Sequence, residues 1–179
     1  MKKKRHNPLK WIIWAFAVSF YFYEYLIRVF PSVITEDLIQ FFHINTTGLG
    51  FLSAFYFYAY APMQLPVGAL MDRYGARRLL TFACLICGAS TLFFSISDHV
   101  IVADISRFFM GTGSAFGFIG MIYICSHWFS GKKLALMIGI GNSIGMLGAV
   151  CGLAFLSYLF QVFPWKYLLY ILGILGIVF

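Results

Sequence analysis

The chain has 179 residues, of which 61% are apolar, 20% aromatic and 11% charged. A soluble domain carries about 25% charged residues, so a soluble enzyme, a nucleic-acid-binding domain and a disordered tail are all poor descriptions. The net charge of +7 is dispersed between long apolar runs rather than gathered on one base-reading face, which points to an integral membrane protein and away from nucleic acid.

A helical span takes roughly 20 residues, and a span with its connection about 30. The chain therefore has room for five or six. Taken in order, the apolar runs predict spans over 11–34, 47–70, 79–97, 100–123 and 134–160, with a last run over 167–179. That last run is short for a bilayer core of roughly 30 Å, so the sixth helix is either incomplete or begins before Trp165. The runs do not alternate apolar with polar residues as barrel strands do. The predicted fold is thus an all-α membrane bundle.

Residues 1–10 form a basic segment with Lys2, Lys3, Lys4, Arg5 and Lys10. The apolar run behind it is too long for a signal peptide and lacks a small-x-small cleavage site. Arg73, Arg77 and Arg78 follow the second span, and Lys132 and Lys133 follow the fourth. The opposite side carries Lys166 with Glu36, Asp37 and Asp98. Ten basic residues against one place the N-terminus in the cytoplasm by the positive-inside rule. Trp11, Trp14, Trp128 and Trp165 fall near predicted helix ends, where an interfacial belt belongs.

Charges inside spans cost about 2.5–3.5 kcal/mol each on insertion scales, so they require a partner or a cavity. Glu24 and Arg28 are four apart on the first span and share a face; Asp104 and Arg107 are three apart on the fourth. Counting from the outer ends puts Arg28 about 9 Å and Arg107 about 10 Å deep. If these two helices are neighbours, Glu24, Arg28 and Arg107 form one polar cluster. Two readings stand. One is a structural ion pair joining Glu24 to Arg28 or Arg107. The other is a site in which two arginines hold a substrate carboxylate or phosphate and Glu24 carries a proton. Asp104, only four residues into its span, is expected at the water interface. Tyr25, Gln64 and Asn142 are candidate cavity residues beside this cluster, although most of the aromatic residues in the first two spans must serve packing.

Gly141, Gly145, Gly148 and Gly152 in the fifth span, and Gly111, Gly113 and Gly117 in the fourth, permit close helix approach. Cys84, Cys87, Cys125 and Cys151 lie in apolar runs and read as small packing residues. No metal or other cofactor is expected. No Ser/His/Asp set is present, and His6, His43, His99 and His127 are scattered, so an enzyme is not expected.

The stretch Gly68-Ala-Leu-Met-Asp72-Arg73-Tyr-Gly75-Ala-Arg77-Arg78-Leu-Leu80 resembles the signature between the second and third helices of the major facilitator superfamily, Gly-x-Leu-x-Asp-Arg-x-Gly-Arg-Lys-x-x-Leu. Ala76 stands where that signature is commonly basic. Arg107-Phe-Phe-Met-Gly111-Thr-Gly113-Ser-Ala115 resembles the family's fourth-helix pattern. The fifth span lacks the Gly-Pro pair of family antiporters, which leans towards symport. Arg28 with Arg107 looks like the organic-anion symporters, whereas the stretch from Trp128 to Gly139 looks like the lysosomal dipeptide carriers and their bacterial relatives.

The resemblance implies the N-terminal six-helix half of such a transporter over 11–179, with two inverted three-helix repeats. Arg28 and Arg107 would hold the charge of a small anionic or zwitterionic substrate, with Tyr25, Gln64 and Asn142 beside them, and Glu24 would carry the coupling proton. Gly68, Asp72, Arg73, Gly75 and Arg77 would form a cytoplasmic latch. The implied partners are the substrate, the lipid bilayer and a second six-helix half or a second copy, in a bacterial inner membrane. The alternative is an inactive remnant, or an assembly module that needs its second half.

Overall fold

The structure is a computed structural model that describes residues 9–179. Lys2, Lys3, Lys4 and Arg5 lie outside the described residues, as does most of the predicted basic segment 1–10.

All regular elements among the described residues are helical: α1 (Leu9–Val33), α2 (Thr35–Phe42), α3 (Thr46–Tyr74), α4 (Ala76–Ile96), α5 (Val100–Trp128), α6 (Lys132–Cys151), α7 (Ser157–Val162) and α8 (Trp165–Val178). A π-helical turn over Gly152–Leu156 joins α6 to α7, so Lys132–Val162 is one continuous rod. This rod, α1, α4 and α5 are each long and apolar enough to cross a membrane. α3 matches α5 in length at 29 residues and packs along it, but Gln64, Asp72 and Arg73 make it more polar. α8 has 14 residues and begins at Trp165 behind Pro164, so of the two alternatives for the sixth span a start before Trp165 is not found. The chain is an integral membrane protein with five long rods and a shorter sixth.

The predicted spans leave 35–46 as a connection. That segment instead contains α2, its acidic residues Glu36 and Asp37 in the first turn, where the positive helix end favours them. His43 ends α2 at φ 52°, and the Asn45 side chain caps α3 by accepting from the Gly48 N–H at 2.9 Å. At the other end of α3 a single residue makes the turn. Gly75 has φ 82°, a conformation that strains any side chain, and its N–H closes α3 on the Met71 carbonyl at 2.9 Å.

Packing follows the glycines. α5 is the central helix. At Gly111 the α3 backbone at Tyr56 occupies the place a Cβ would take. At Gly113 the Cys87 Sγ and Ala83 carbonyl of α4 approach, and at Gly117 the Glu24 carboxylate of α1 does. Gly145 receives the Tyr21 ring, Gly148 the Phe22 carbonyl and Gly152 the Val29 side chain, so the predicted small-residue face of α6 is its seam with α1. Gly88 meets Gly173 and Gly176 between α4 and α8. Exchanging α1 with α5, α3 with α6 and α4 with α8 turns the α1/α6 seam into the α5/α3 seam and maps the α1/α5 and α4/α8 seams onto themselves, although the extensive α4/α5 seam has only a slight counterpart between α8 and α1. That is the pattern of two inverted three-helix repeats.

The two ends of the bundle differ in charge. Lys10 lies against Trp11 and Phe129 at one end, where Arg73, Arg77, Arg78, Lys132 and Lys133 also sit. At the other end Lys166 pairs with Asp98 at 2.9 Å and covers the Phe41 ring at 4.0 Å. Asp104, expected at the water interface, lies one turn into α5; it is half-buried, and its Oδ1 is closed off from solvent with no hydrogen-bond partner among the described residues.

Two outcomes are expected from this packing. Gly111→Ala drives a methyl into the α3 backbone and destabilises the bundle by about 1–3 kcal/mol. Gly139→Ala meets nothing within 4 Å and is neutral, or stabilising by up to about 1 kcal/mol from helix propensity. Unfolding in mixed detergent micelles measures both. Lys166 also holds the Asp98 carboxyl below the usual aspartate range, first through their hydrogen bond and then through charge. The pair therefore contributes fully above the ordinary aspartate pKa and is lost as pH falls through the lowered value. A carbon-detected titration of Asp98 reads a depressed midpoint that rises in Lys166→Ala.

Candidate functional site

Pro31 sits inside α1 and has no N–H to give to the Ile27 carbonyl four residues earlier. An unpaired carbonyl inside a membrane bundle is costly, and this one is paired from outside its helix. Arg107 on α5 donates through Nη1 to the Ile27 carbonyl at 2.8 Å, and Nη2 lies 3.5 Å from the Arg28 carbonyl. The Arg107 guanidinium also lies 4.6 Å from the Tyr56 ring centre and 5.2 Å from that of Phe30. It is 1% exposed. Its Nε has no hydrogen-bond partner among the described residues.

One turn away, Glu24 is fully buried and pairs through Oε1 with Arg28 Nη2. The Tyr56 hydroxyl joins them: it donates to Glu24 Oε1 at 3.3 Å and receives from Arg28 Nε at 3.2 Å. Glu24 Oε2 has no partner among the described residues and points at Gly117, 2.7 Å from where a Cβ would stand. Gly117 therefore makes the room for this carboxylate. Arg28 is stacked by aromatic faces, with the ring centres of Tyr25 and Tyr60 each 4.5 Å from its Cζ. Its side chain is 17% exposed, so of the two arginines it is the one that reaches the outside of the bundle. The polar lining continues across α1 to α6, where the Tyr21 hydroxyl donates to Asn142 Oδ1 at 3.2 Å and lies 3.4 Å from the Tyr25 hydroxyl.

Of the residues singled out from sequence, Glu24, Arg28, Tyr25 and Arg107 come together, and Asn142 reaches them through Tyr21. Glu24 pairs with Arg28 and not with Arg107. Gln64 lies two turns beyond Tyr56 on α3, about 12 Å along the helix, and no hydrogen bond joins it to the cluster among the described residues. Sequence reasoning did not assign Tyr56, Tyr60 or Tyr21 a place in the site, nor Pro31 its part. Pro31 was the available signal: a proline inside an apolar span predicts a carbonyl in need of a donor, and Arg107 lies at matching depth.

The signature residues lie at the basic end of the bundle. Asp72, Arg73 and Arg77 are exposed, and among the described residues Asp72 makes no ion pair. Arg73 lies over its neighbour Tyr74 at 5.3 Å. Gly68 has open space around it, and Gly75 is the turn between α3 and α4. A groove of about 380 Å³ between α4 and α5, lined by Ile86, Ala89, Ser90, Phe93, Val102 and Phe109, is almost wholly apolar and includes no side chain of the polar cluster.

Removing the Arg107 donor should cost about 1–3 kcal/mol by leaving the Ile27 carbonyl unpaired. Pro31→Ala restores an intrahelical N–H, so Arg107→Met should cost at least about 1 kcal/mol less in that background. A double-mutant cycle on unfolding in micelles measures the coupling, and additive effects would contradict the pairing.

The sequence model of the Major Facilitator Superfamily matches residues 7–179. Among curated proteins the chain is 26% identical over 176 residues to the uncharacterized transporter YybO of Bacillus subtilis, covering 98% of this chain and 40% of that protein. It is 26% identical over 182 residues to the probable galactarate/D-glucarate transporter GudP of Escherichia coli, with the same two shares. It is 27% identical over 128 residues to the probable sulfoacetate transporter SauU of Cupriavidus necator, covering 72% of this chain and 30% of that protein. The chain thus spans less than half the length of these relatives. With the signature turn at Gly75, the inverted three-helix repeats and a family match over nearly its whole length, the chain belongs to the Major Facilitator Superfamily.

Proposed function

We propose that the chain forms the N-terminal half, over 11–179, of a secondary-active carrier for a small carboxylate-bearing anion of the sugar-acid kind, moved together with a proton. The observation that carries this reading is the Arg28 guanidinium, which is stacked by Tyr25 and Tyr60, reaches the outside of the bundle and is paired to a buried carboxylate, Glu24. Two of the relatives named above are probable transporters of galactarate and D-glucarate or of sulfoacetate, which favours an organic anion over a dipeptide.

The charge arithmetic supplies the coupling. With Glu24 ionised, Arg28 is already neutralised. A proton on Glu24 releases the guanidinium, and a substrate carboxylate takes its place with bidentate geometry. Proton and anion then load together, and neither loads well alone. Arg107, enclosed and bound to the α1 backbone, holds Arg28 at the right depth, and its charge adds to the field that draws the anion in. Tyr21 and Asn142 extend the polar surface for substrate hydroxyls, and Gln64 would engage a longer substrate. Gly68, Asp72, Arg73, Gly75 and Arg77 form the cytoplasmic latch, with Asp72 free to engage a second six-helix half. The distribution of Lys and Arg supports a cytoplasmic basic end, and the bacterial relatives favour a bacterial inner membrane.

A second reading rests on the chain's 40% share of its first relatives: an assembly module that is inactive without a second half. Liposomes containing the purified chain, an inward proton gradient and radiolabelled galactarate separate the two. The transport reading expects saturable, gradient-driven uptake that drops at least about tenfold in Arg28→Ala, the equivalent of about 1.4 kcal/mol. Glu24→Gln should keep substrate counterflow and lose the response to the gradient. Undiminished uptake in Arg28→Ala contradicts the site. Absent uptake with a monomeric mass in mild detergent supports the second reading.

A further inference from the structure

At the basic end of the bundle the outward face of α4, with Arg78, is left unused by the carrier reading, and Arg77 of the proposed latch stands at its edge. Arg77 and Arg78, in the first turn of α4, are both exposed. Among the described residues their guanidinium groups have no ion pair, hydrogen bond or ring contact, whereas Arg73 nearby is covered by Tyr74. Directly beside them runs an open groove of about 490 Å³, lined by Arg77, Arg78, Thr81, Phe82 and Leu85. Phe82 is 64% exposed and Leu85 41% exposed, and the same face continues to Phe93 and Ile96, 59% and 62% exposed. α4 packs against α5 and α8 on its other faces. The polar cluster opens on the side of α1, α3 and α6, so a second half closing over that cluster leaves the α4 face to the lipid.

A pair of unneutralised cations at the level of the headgroups, above an apolar trough running into the hydrocarbon, is complementary to one class of molecule. We propose that this face of α4 is a docking site for an anionic phospholipid, with the phosphate on Arg77 and Arg78, the glycerol region beside Thr81 and one acyl chain along Phe82 and Leu85. Charge alone does not make the site. Lys132 and Lys133 likewise lie in the first turn of their helix, α6, and are exposed, and they serve as its internal control.

The test is native mass spectrometry of the full 179-residue chain released from nanodiscs of equal parts phosphatidylglycerol and phosphatidylcholine. The wild type should retain phosphatidylglycerol selectively. Arg77→Ala with Arg78→Ala should cut that retention at least about threefold, as should Phe82→Ser, which leaves the charge unchanged. Lys132→Ala with Lys133→Ala should leave it intact, and millimolar inorganic phosphate should not displace the lipid. Equal loss in the lysine variant would reduce the effect to general attraction and overturn the site. So would retention unchanged in the arginine variant, or displacement by free phosphate. Because the readout is bound lipid, it stands or falls separately from transport.

Discussion

Pro31 leaves the Ile27 carbonyl without its own helix's donor in the interior of an apolar bundle, and Arg107 supplies the missing bond from α5. Much of the site's geometry depends on this exchange. It ties the backbone of α1 to the side chain of α5 at a single depth, and that depth brings Glu24 opposite Gly117 and Arg28 beside Tyr56. A lysine offers a point charge in place of a planar fork and would satisfy the same carbonyls less well. The arrangement also gives a buried arginine a reason to exist without an acid of its own: its charge is spread over two carbonyls and two aromatic faces.

The glycines make the bond reachable. Hydrophobic driving force between helices is weak in lipid, so tight van der Waals contact and interhelical hydrogen bonds must hold the bundle together. Gly111 lets α3 press its backbone onto α5, and this delivers the Tyr56 hydroxyl to Glu24 and Arg28. Gly145 and Gly148 do the same between α6 and α1, and there the Tyr21 ring lies against α6 with its hydroxyl on Asn142. Packing and polar chemistry are thus consequences of the same small residues. The inverted repeat makes them recur, since the α3/α5 and α6/α1 seams are equivalent under the exchange of the two halves of the bundle.

Much of this was legible in the residues. Apolar run lengths located the rods, helical spacing put Glu24 and Arg28 on one face, and counting from helix ends matched the depths of Arg28 and Arg107. What the sequence could not supply was rotation. Depth says nothing about which way Arg107 turns. It turns to the α1 backbone, whose Ile27 carbonyl Pro31 leaves without its own helix's donor, rather than to Glu24. Tyr56 was one tyrosine among many until the close approach at Gly111 distinguished it. α2 escaped notice because eight residues of mixed polarity carry too weak a periodic signal. The turn at Gly75 was visible as a motif, and its physical reason, a one-residue link at positive φ, came only with the backbone.

The same cluster is a structural tie and, on the proposed reading, a charge balance that an anion and a proton would alter together. On that reading these roles fall on different arginines: Arg107 holds the backbone, and Arg28 would meet the substrate. Solid-state nitrogen spectra of arginine-labelled chain in lipid, with and without galactarate at acid pH, test that division directly. The account predicts that galactarate moves the Arg28 guanidinium signals and leaves those of Arg107 in place. Movement at Arg107 with Arg28 unchanged would contradict it.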